Sequence, residues 1–286
     1  MSRLFEALQK SEPEVFSFEF AGVVPAPAEP AEKVEPIHKL EVQDAGPVEV
    51  EQFPSVRISP PQESRLVALT DKEGLAAEKF RFLAVRLRQL QQSRSLKKLL
   101  ITSTIPEEGK SMVSANLAIT LARKKRQKVL LLDGDLRRPM LARHFGLSHL
   151  AGLGEWLQSD AGNGRNVYYL EELGLWFMSA GRPPQNPLEL MQSGRLANLL
   201  EQLSKGFDWV VIDSPPVLPL ADTSVWTRFA DGILLVAREG KTEKQELQRG
   251  LADLDQSKLL GLVLNSCSNT DHSNYYQRYG AAASQQ

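Results

Sequence analysis

The residues Thr104, Ile105, Pro106, Glu107, Glu108, Gly109, Lys110 and Ser111 follow directly on the apolar stretch Leu99 to Ser103 and open a helical pattern over Met112 to Lys124. That order of residue types suits one chemistry. A loop of this length turns successive backbone N–H groups and a helix N-terminus toward an anionic phosphate, while Lys110 reaches the β- and γ-phosphates and Ser111 supplies a Mg²⁺ ligand. Residues 104–112, Met112 included, are therefore candidate ATP-binding positions. Thr104 stands where such loops usually carry a first glycine, but Gly109, Lys110 and Ser111 are intact. A chance Gly-Lys-Ser would lack the strand before it and the helix after it, so the nucleotide reading outweighs the bland one.

Two further apolar runs end in acids. One closes with Leu132, Asp133, Gly134, Asp135, Leu136, Arg137, Arg138 and Pro139; the other closes with Ile212, Asp213, Ser214, Pro215 and Pro216. An aspartate that ends a strand is most often a cap or turn residue. Beside a phosphate loop, however, such carboxylates hold Mg²⁺ directly or through water and offset the charge of a transferring phosphoryl group. Ser111, Asp133 and Asp213 are the candidate metal-site residues, and Lys110, Asp133, Asp135 and Asp213 the candidate catalytic set.

For these side chains to meet, they must sit at one edge of one sheet. The runs Lys98 to Ser103, Lys128 to Asp133, Leu175 to Ser179, Trp209 to Asp213, Gly232 to Ala237 and Leu259 to Leu264 are short and apolar throughout, as strands buried on both faces are. Helical patterns separate most of them, among them Gly74 to Gln92, where Leu75, Phe80, Leu83, Leu87 and Leu90 recur at helical spacing. Alternation of this kind predicts an α/β fold of the P-loop NTPase type, a largely parallel sheet flanked by helices, with the ligand site at the carboxyl ends of the strands.

The chain has 286 residues, a 42% hydrophobic content and a formal net charge of -1. That length suits one large or two small domains, and the dense Leu, Ile and Val runs begin only near Leu99. Residues 1–62 hold eleven acids against five bases, so the remainder is slightly positive, with no basic face of the kind nucleic acid would need. One cysteine, Cys267, forms no internal disulfide and reads as a small apolar residue beside the last strand. The four histidines lack metal-ligand spacing. No run reaches the ~18 to 20 apolar residues that span a bilayer, and the first ten residues lack a signal-peptide pattern. The chain is thus expected in the cytoplasm.

Along the chain, Ser2 to Lys10 makes a short amphipathic helix through Leu4, Phe5 and Leu8. Ser11 to Gln62 holds nine of the seventeen prolines and reads as a disordered linker, so that residues 1–62 form an N-terminal extension, 63–265 the folded domain and 266–286 a polar tail. Three of the five tyrosines, Tyr275, Tyr276 and Tyr279, lie in that tail.

In combination, Ser103 to Ser111, Leu131 to Pro139 and Val210 to Pro216 resemble the Walker A, A′ and B motifs of bacterial tyrosine kinases, the cytoplasmic kinases of capsule and exopolysaccharide export. The resemblance spans roughly Glu63 to Gly280 and includes the blocks Ala180 to Leu190, Leu218 to Asp222 and Gly261 to Asn265. It implies phosphate binding by Lys110, Mg²⁺ binding by Ser111 and Asp213, and the catalytic-acid positions for Asp133 and Asp135. Asp133 is the candidate general base for a tyrosine hydroxyl of pKa near ~10; Asp135 and Arg137 are candidates to organise the metal shell or stabilise the transition state. It further implies autophosphorylation of Tyr275, Tyr276 and Tyr279, each phosphate adding roughly -1.5 to -2 charges, with tail packing by an aromatic anchor as the bland alternative.

Family members self-associate through a Glu-x-x-Arg-x-x-Arg helix. Glu78 and Arg81 match it, whereas Ala84 takes the third position. The resemblance also implies a membrane-spanning polysaccharide co-polymerase as partner, which would recruit the chain to the inner face of the plasma membrane. Two rival readings share the fold. A ParA/MinD-like positioning ATPase would carry a lysine where Ile105 stands and glycines in place of Pro106 and Glu107. A non-catalytic, ATP-dependent regulator of polysaccharide assembly would not need the intact Lys110, Asp133, Asp135 and Asp213.

Overall fold

A computed structural model describes residues 53–124, 127–147, 150–159, 166–218 and 221–267. The N-terminal helix expected at residues 2–10, most of the expected linker and the tail tyrosines Tyr275, Tyr276 and Tyr279 lie outside the described residues.

In chain order the elements are β1 (Ser55–Val56), α1 (Val67–Thr70), α2 (Leu75–Ser93), β2 (Lys98–Ser103), α3 (Lys110–Ala122), β3 (Val129–Asp133), α4 (Leu141–His144), α5 (Leu153–Gln158), β4 (Tyr168–Leu170), β5 (Leu175–Met178), α6 (Pro187–Gln192), α7 (Arg195–Gly206), β6 (Trp209–Asp213), α8 (Asp222–Phe229), β7 (Gly232–Arg238), α9 (Lys244–Ala252) and β8 (Leu259–Asn265). The strands form one sheet in the order β1-β4-β5-β3-β6-β2-β7-β8, parallel everywhere except between β4 and β5.

The apolar strands are buried on both faces because side chains alternate across a pleated strand. Leu99, Ile101, Val129, Leu131, Trp209 and Val211 enter one core. Leu100, Leu130, Leu132, Val210 and Ile212 enter the other. Helices cover each. On α7, Leu196, Leu199, Leu200 and Leu203 form a buried stripe at helical spacing, each such side chain contributing about 1.5–3 kcal/mol on full burial. On the other face α3 is buried nearly all round and is packed between α2 and the sheet.

Four expectations change. The linker expected to end at Gln62 ends earlier, since Ser55 and Val56 pair in parallel with Tyr169 and Leu170, and the Ser59 N–H donates to the Phe145 carbonyl at 3.0 Å. A few aliphatic contacts by Val56 and Ile58 hold this segment, a local effect that a proline-rich composition masks. The hairpin β4–β5 was not expected either; its turn closes at Gly174 with φ of 61°. The helix predicted from Met112 to Lys124 starts two residues sooner, at Lys110, because Gly109 turns the chain with φ of 93°. Cys267, read as an apolar neighbour of the last strand, is exposed, its sulfur 3.2 Å from the Leu264 carbonyl.

Candidate active site

The order β3-β6-β2 sets three parallel strands side by side, so their carboxyl ends share one edge. Asp133 is in register with Asp213, and Asp213 with Ile101. The three motifs, 80 and more residues apart at the extremes, therefore meet at one rim. Lys110, first residue of α3, reaches into it from the loop that follows β2. Its Nζ lies 3.1 Å from Asp135 Oδ2 and 4.0 Å from Asp213 Oδ2. The sequence-predicted catalytic set is thus brought together.

The electrostatics are unbalanced. Asp133 is fully buried and Asp213 nearly so. Burial, and then the charge of Asp213, pushes the Asp133 carboxyl well above the usual carboxylate range. Burial likewise raises Asp213, although Lys110 and the hydroxyls of Ser111 and Ser114 oppose it. Burial works against the Lys110 ammonium, but Asp213 and Asp135 outweigh it and keep its pKa raised. One cation therefore faces three carboxylates in a site of low dielectric.

Asp133 also keeps a bland role. Its two oxygens accept the N–H groups of Asp135 at 3.3 Å and Leu141 at 3.2 Å, which shapes the turn into α4. Asp135 accepts the Arg138 N–H at 2.9 Å with one oxygen and faces Lys110 with the other. Asp213 accepts the Ser114 hydroxyl at 3.1 Å through Oδ1, while Oδ2 is buried without a hydrogen-bond partner. A buried lone carboxylate oxygen is costly unless a ligand satisfies it.

Among the described residues no group of three or more His, Cys, Asp or Glu side chains has the geometry to hold a metal. Mg²⁺ does not require one. It takes one or two carboxylates beside substrate phosphates and water, and the unpartnered Asp213 Oδ2 beside Ser111 fits that demand. The first N–H groups of α3, from Gly109 onward, have no acceptor within the helix, which leaves them for an anion.

In the loop itself, Thr104 is fully buried and stands where glycine is usual. Space for it comes from α9: a Cβ on Gly250 would lie 2.9 Å from Thr104 Cγ2. Glu107 points outward in the left-handed conformation, with φ of 65°. Glu108 points inward and is fully buried.

Sequence reasoning missed two contributors, both on α8. Asp222 is buried and accepts two hydrogen bonds from Arg137, at 2.6 Å from Nε and 3.0 Å from Nη2. Trp226, also buried, donates its indole N–H to the Gly134 carbonyl at 3.2 Å. Between them they fix the Asp133–Asp135 turn from below. Asp222 ends the Leu218 to Asp222 block of the resemblance, which carried no role for it, and nothing local tied it to Arg137.

The expected Glu78–Arg81 pair forms on α2, with Arg81 Nε donating to Glu78 at 2.6 Å and Nη1 to the Lys72 carbonyl at 2.7 Å. Ala84, at the third position of that pattern, is fully buried, and Arg86 instead lies over the Phe82 ring.

A phosphate loop joined to strand-end aspartates on a parallel sheet defines a nucleotide-binding domain, and residues 99–282 match the family described as CobQ/CobB/MinD/ParA nucleotide binding domain. Within that class the chain is 34% identical over 212 residues to tyrosine-protein kinase YwqD of Bacillus subtilis, covering 73% of this chain and 89% of YwqD. It is 34% identical over 226 residues to tyrosine-protein kinase ptk of Acinetobacter johnsonii, covering 74% of this chain but only 31% of that longer protein. The solved kinase domain of Escherichia coli tyrosine kinase ETK superposes with a TM-score of 0.66 at 30% identity, over 71% of this chain and 82% of that one. The chain belongs to the bacterial tyrosine-kinase family.

Proposed function

We propose that the chain transfers the γ-phosphate of ATP to tyrosine hydroxyls, and that Tyr275, Tyr276 and Tyr279 of its own tail are acceptors. The observation that carries this is the convergence of Lys110 on Asp135 and Asp213 at the rim. In this proposal the N–H groups at the start of α3 and Lys110 bind the phosphates. Ser111 and Asp213 would hold Mg²⁺, which would offset the charge on the phosphate oxygens. The bond from the γ-phosphorus to its bridging oxygen breaks as a bond to the tyrosine oxygen forms. Asp133, whose raised pKa makes it a better base than an ordinary carboxylate, takes the phenolic proton. Arg137, fixed by Asp222, offers positive charge at the mouth of the site, where the transferring group needs it.

Trans-phosphorylation requires two copies to meet. We assign that contact to α2, where Glu78 and Arg81 lie near Phe82 and Val85, the latter two 53% and 48% exposed. No described helix is long and apolar enough to cross a membrane. From the family membership we propose that a membrane-spanning polysaccharide co-polymerase recruits the chain to the inner face of the plasma membrane, where it regulates capsule or exopolysaccharide assembly.

The experiment is to incubate the purified chain with MgATP and map phosphotyrosine by mass spectrometry, beside Lys110→Met. Tail labelling that disappears in Lys110→Met supports the proposal. ATP hydrolysis without phosphotyrosine would instead favour a positioning ATPase of the MinD and ParA kind.

A further inference from the structure

Two consecutive glutamates leave the phosphate loop in opposite directions, and one neighbouring segment catches both. The outward Glu107 carboxylate lies 2.7 Å from Lys241 Nζ, and its carbonyl accepts Arg238 Nη1 at 3.3 Å. Inward, Glu108 Oε2 accepts the Ile105 N–H at 2.8 Å, and Oε1 accepts the Thr242 hydroxyl. That hydroxyl in turn accepts the Arg238 N–H at 2.8 Å, so its own hydrogen is directed to Glu108. Asn265, at the end of β8, donates to the Glu108 carbonyl at 2.8 Å.

We propose that the β7–α9 connection, residues 239–243, is a brace that sets the curvature of the phosphate loop, with Glu108 and Thr242 as positioning residues for nucleotide binding. The proposal rests on the nucleotide-site assignment above. Its physical basis is the missing first glycine. A loop of this type begins with a conformationally free residue. Here Thr104 is β-branched and buried, so the start of the loop is held by other means. The Glu108 carboxyl supplies them by accepting the Ile105 N–H. That amide is directed inward to Glu108, apart from the N–H groups at the start of α3. Thr242 then fixes the carboxyl, for a buried glutamate lacking its second partner would turn toward solvent and release the loop. Burial raises the Glu108 pKa, with the Thr242 and backbone hydrogen bonds opposing it, which accords with a carboxyl held by hydrogen bonds and not by a cation.

The test is equilibrium binding of a fluorescent ADP with Mg²⁺ to the full chain and to Thr242→Val, Thr242→Ser, Glu108→Gln and Lys110→Met, with melting temperatures measured without nucleotide. Thr242→Val is expected to weaken binding about tenfold, the scale of one lost buried hydrogen bond. Thr242→Ser keeps the hydroxyl and should bind as the parent does. Glu108→Gln can still accept from Ile105 and donate to Thr242, so it should lose less than Thr242→Val. Parent-like binding by Thr242→Val, alongside loss of binding in Lys110→Met, overturns the brace. A lowered melting temperature with unchanged affinity marks a merely structural contact and overturns it as well. Parent-like binding by Lys110→Met overturns the nucleotide site itself, and the brace with it.

Discussion

The two ends of the same strands treat charge in opposite ways. At the amino edge, Asp231 accepts the N–H groups of Lys97 at 3.0 Å and Lys98 at 2.8 Å and pairs with Lys98 Nζ at 2.9 Å. Asp208 accepts the Lys128 N–H at 2.7 Å, and Lys258 is bonded to the carbonyls of Thr227 and Arg228. These charges have nearby protein partners. At the carboxyl edge, Asp135 and Asp213 share Lys110, and Asp213 Oδ2 has no hydrogen-bond partner. A cavity of about 500 Å³ opens at the satisfied edge, lined by Lys98, Arg228, Asp231 and Lys258. On the proposed assignment, unresolved charge marks the ligand site better than empty volume does. A fold tolerates such frustration where a ligand relieves it.

That contrast can be broken by substitution. The largest expected effect is at Asp222. Asp222→Ala frees Arg137 and loosens the turn that carries Asp133 and Asp135, so autophosphorylation should slow about 100-fold, the scale of a misplacement of about 1 Å. Nucleotide affinity should change much less, and steady-state kinetics at varied ATP separates the two. Next, Asp231→Ala at the opposite edge should lower stability by ~1–2 kcal/mol, a fall in melting temperature of about 2–8 °C, with the phosphorylation rate per folded molecule unchanged.

Asp213→Asn should do the reverse. It removes a buried charge, keeps an oxygen for Ser114 and leaves Lys110 its closer partner Asp135. Because the folded-state pKa of Asp213 is raised above its unfolded value, its stability contribution is full below the unfolded pKa and is lost as pH rises through the folded one. The variant should therefore melt about 2–4 °C higher than the parent at neutral pH without nucleotide, and that advantage should vanish in acid. The smallest effect is at α2: Glu78→Ala should cost only a few tenths of a kcal/mol, measurable by chemical denaturation.

The rim was legible because its parts are local. A phosphate loop has fixed spacing between strand and helix, and the aspartates end strands whose two buried faces leave continuous apolar runs. The central strands Lys98–Ser103 and Trp209–Asp213 coincide with their sequence-predicted limits. The shortest strands were not legible: Ser55–Val56 is two residues long and Tyr168–Leu170 three, too few for a period to register. Asp222 was obscure for a different reason. Its meaning comes from Arg137, 85 positions earlier, and no spacing rule joins a strand-end turn to the first turn of a distant helix. The opposed directions of Glu107 and Glu108 likewise depend on where Lys241 and Thr242 lie in space.

The central claim is that Asp213, whose Oδ2 has no hydrogen bond within the protein, serves a magnesium-bound nucleotide at the carboxyl edge. The most direct measurement is the affinity of ADP for the parent chain and for Asp213→Asn, each with and without Mg²⁺. Mg²⁺ should tighten binding to the parent and leave the variant nearly unaffected. Equal Mg²⁺ dependence in the two proteins, or none in the parent, would contradict the account.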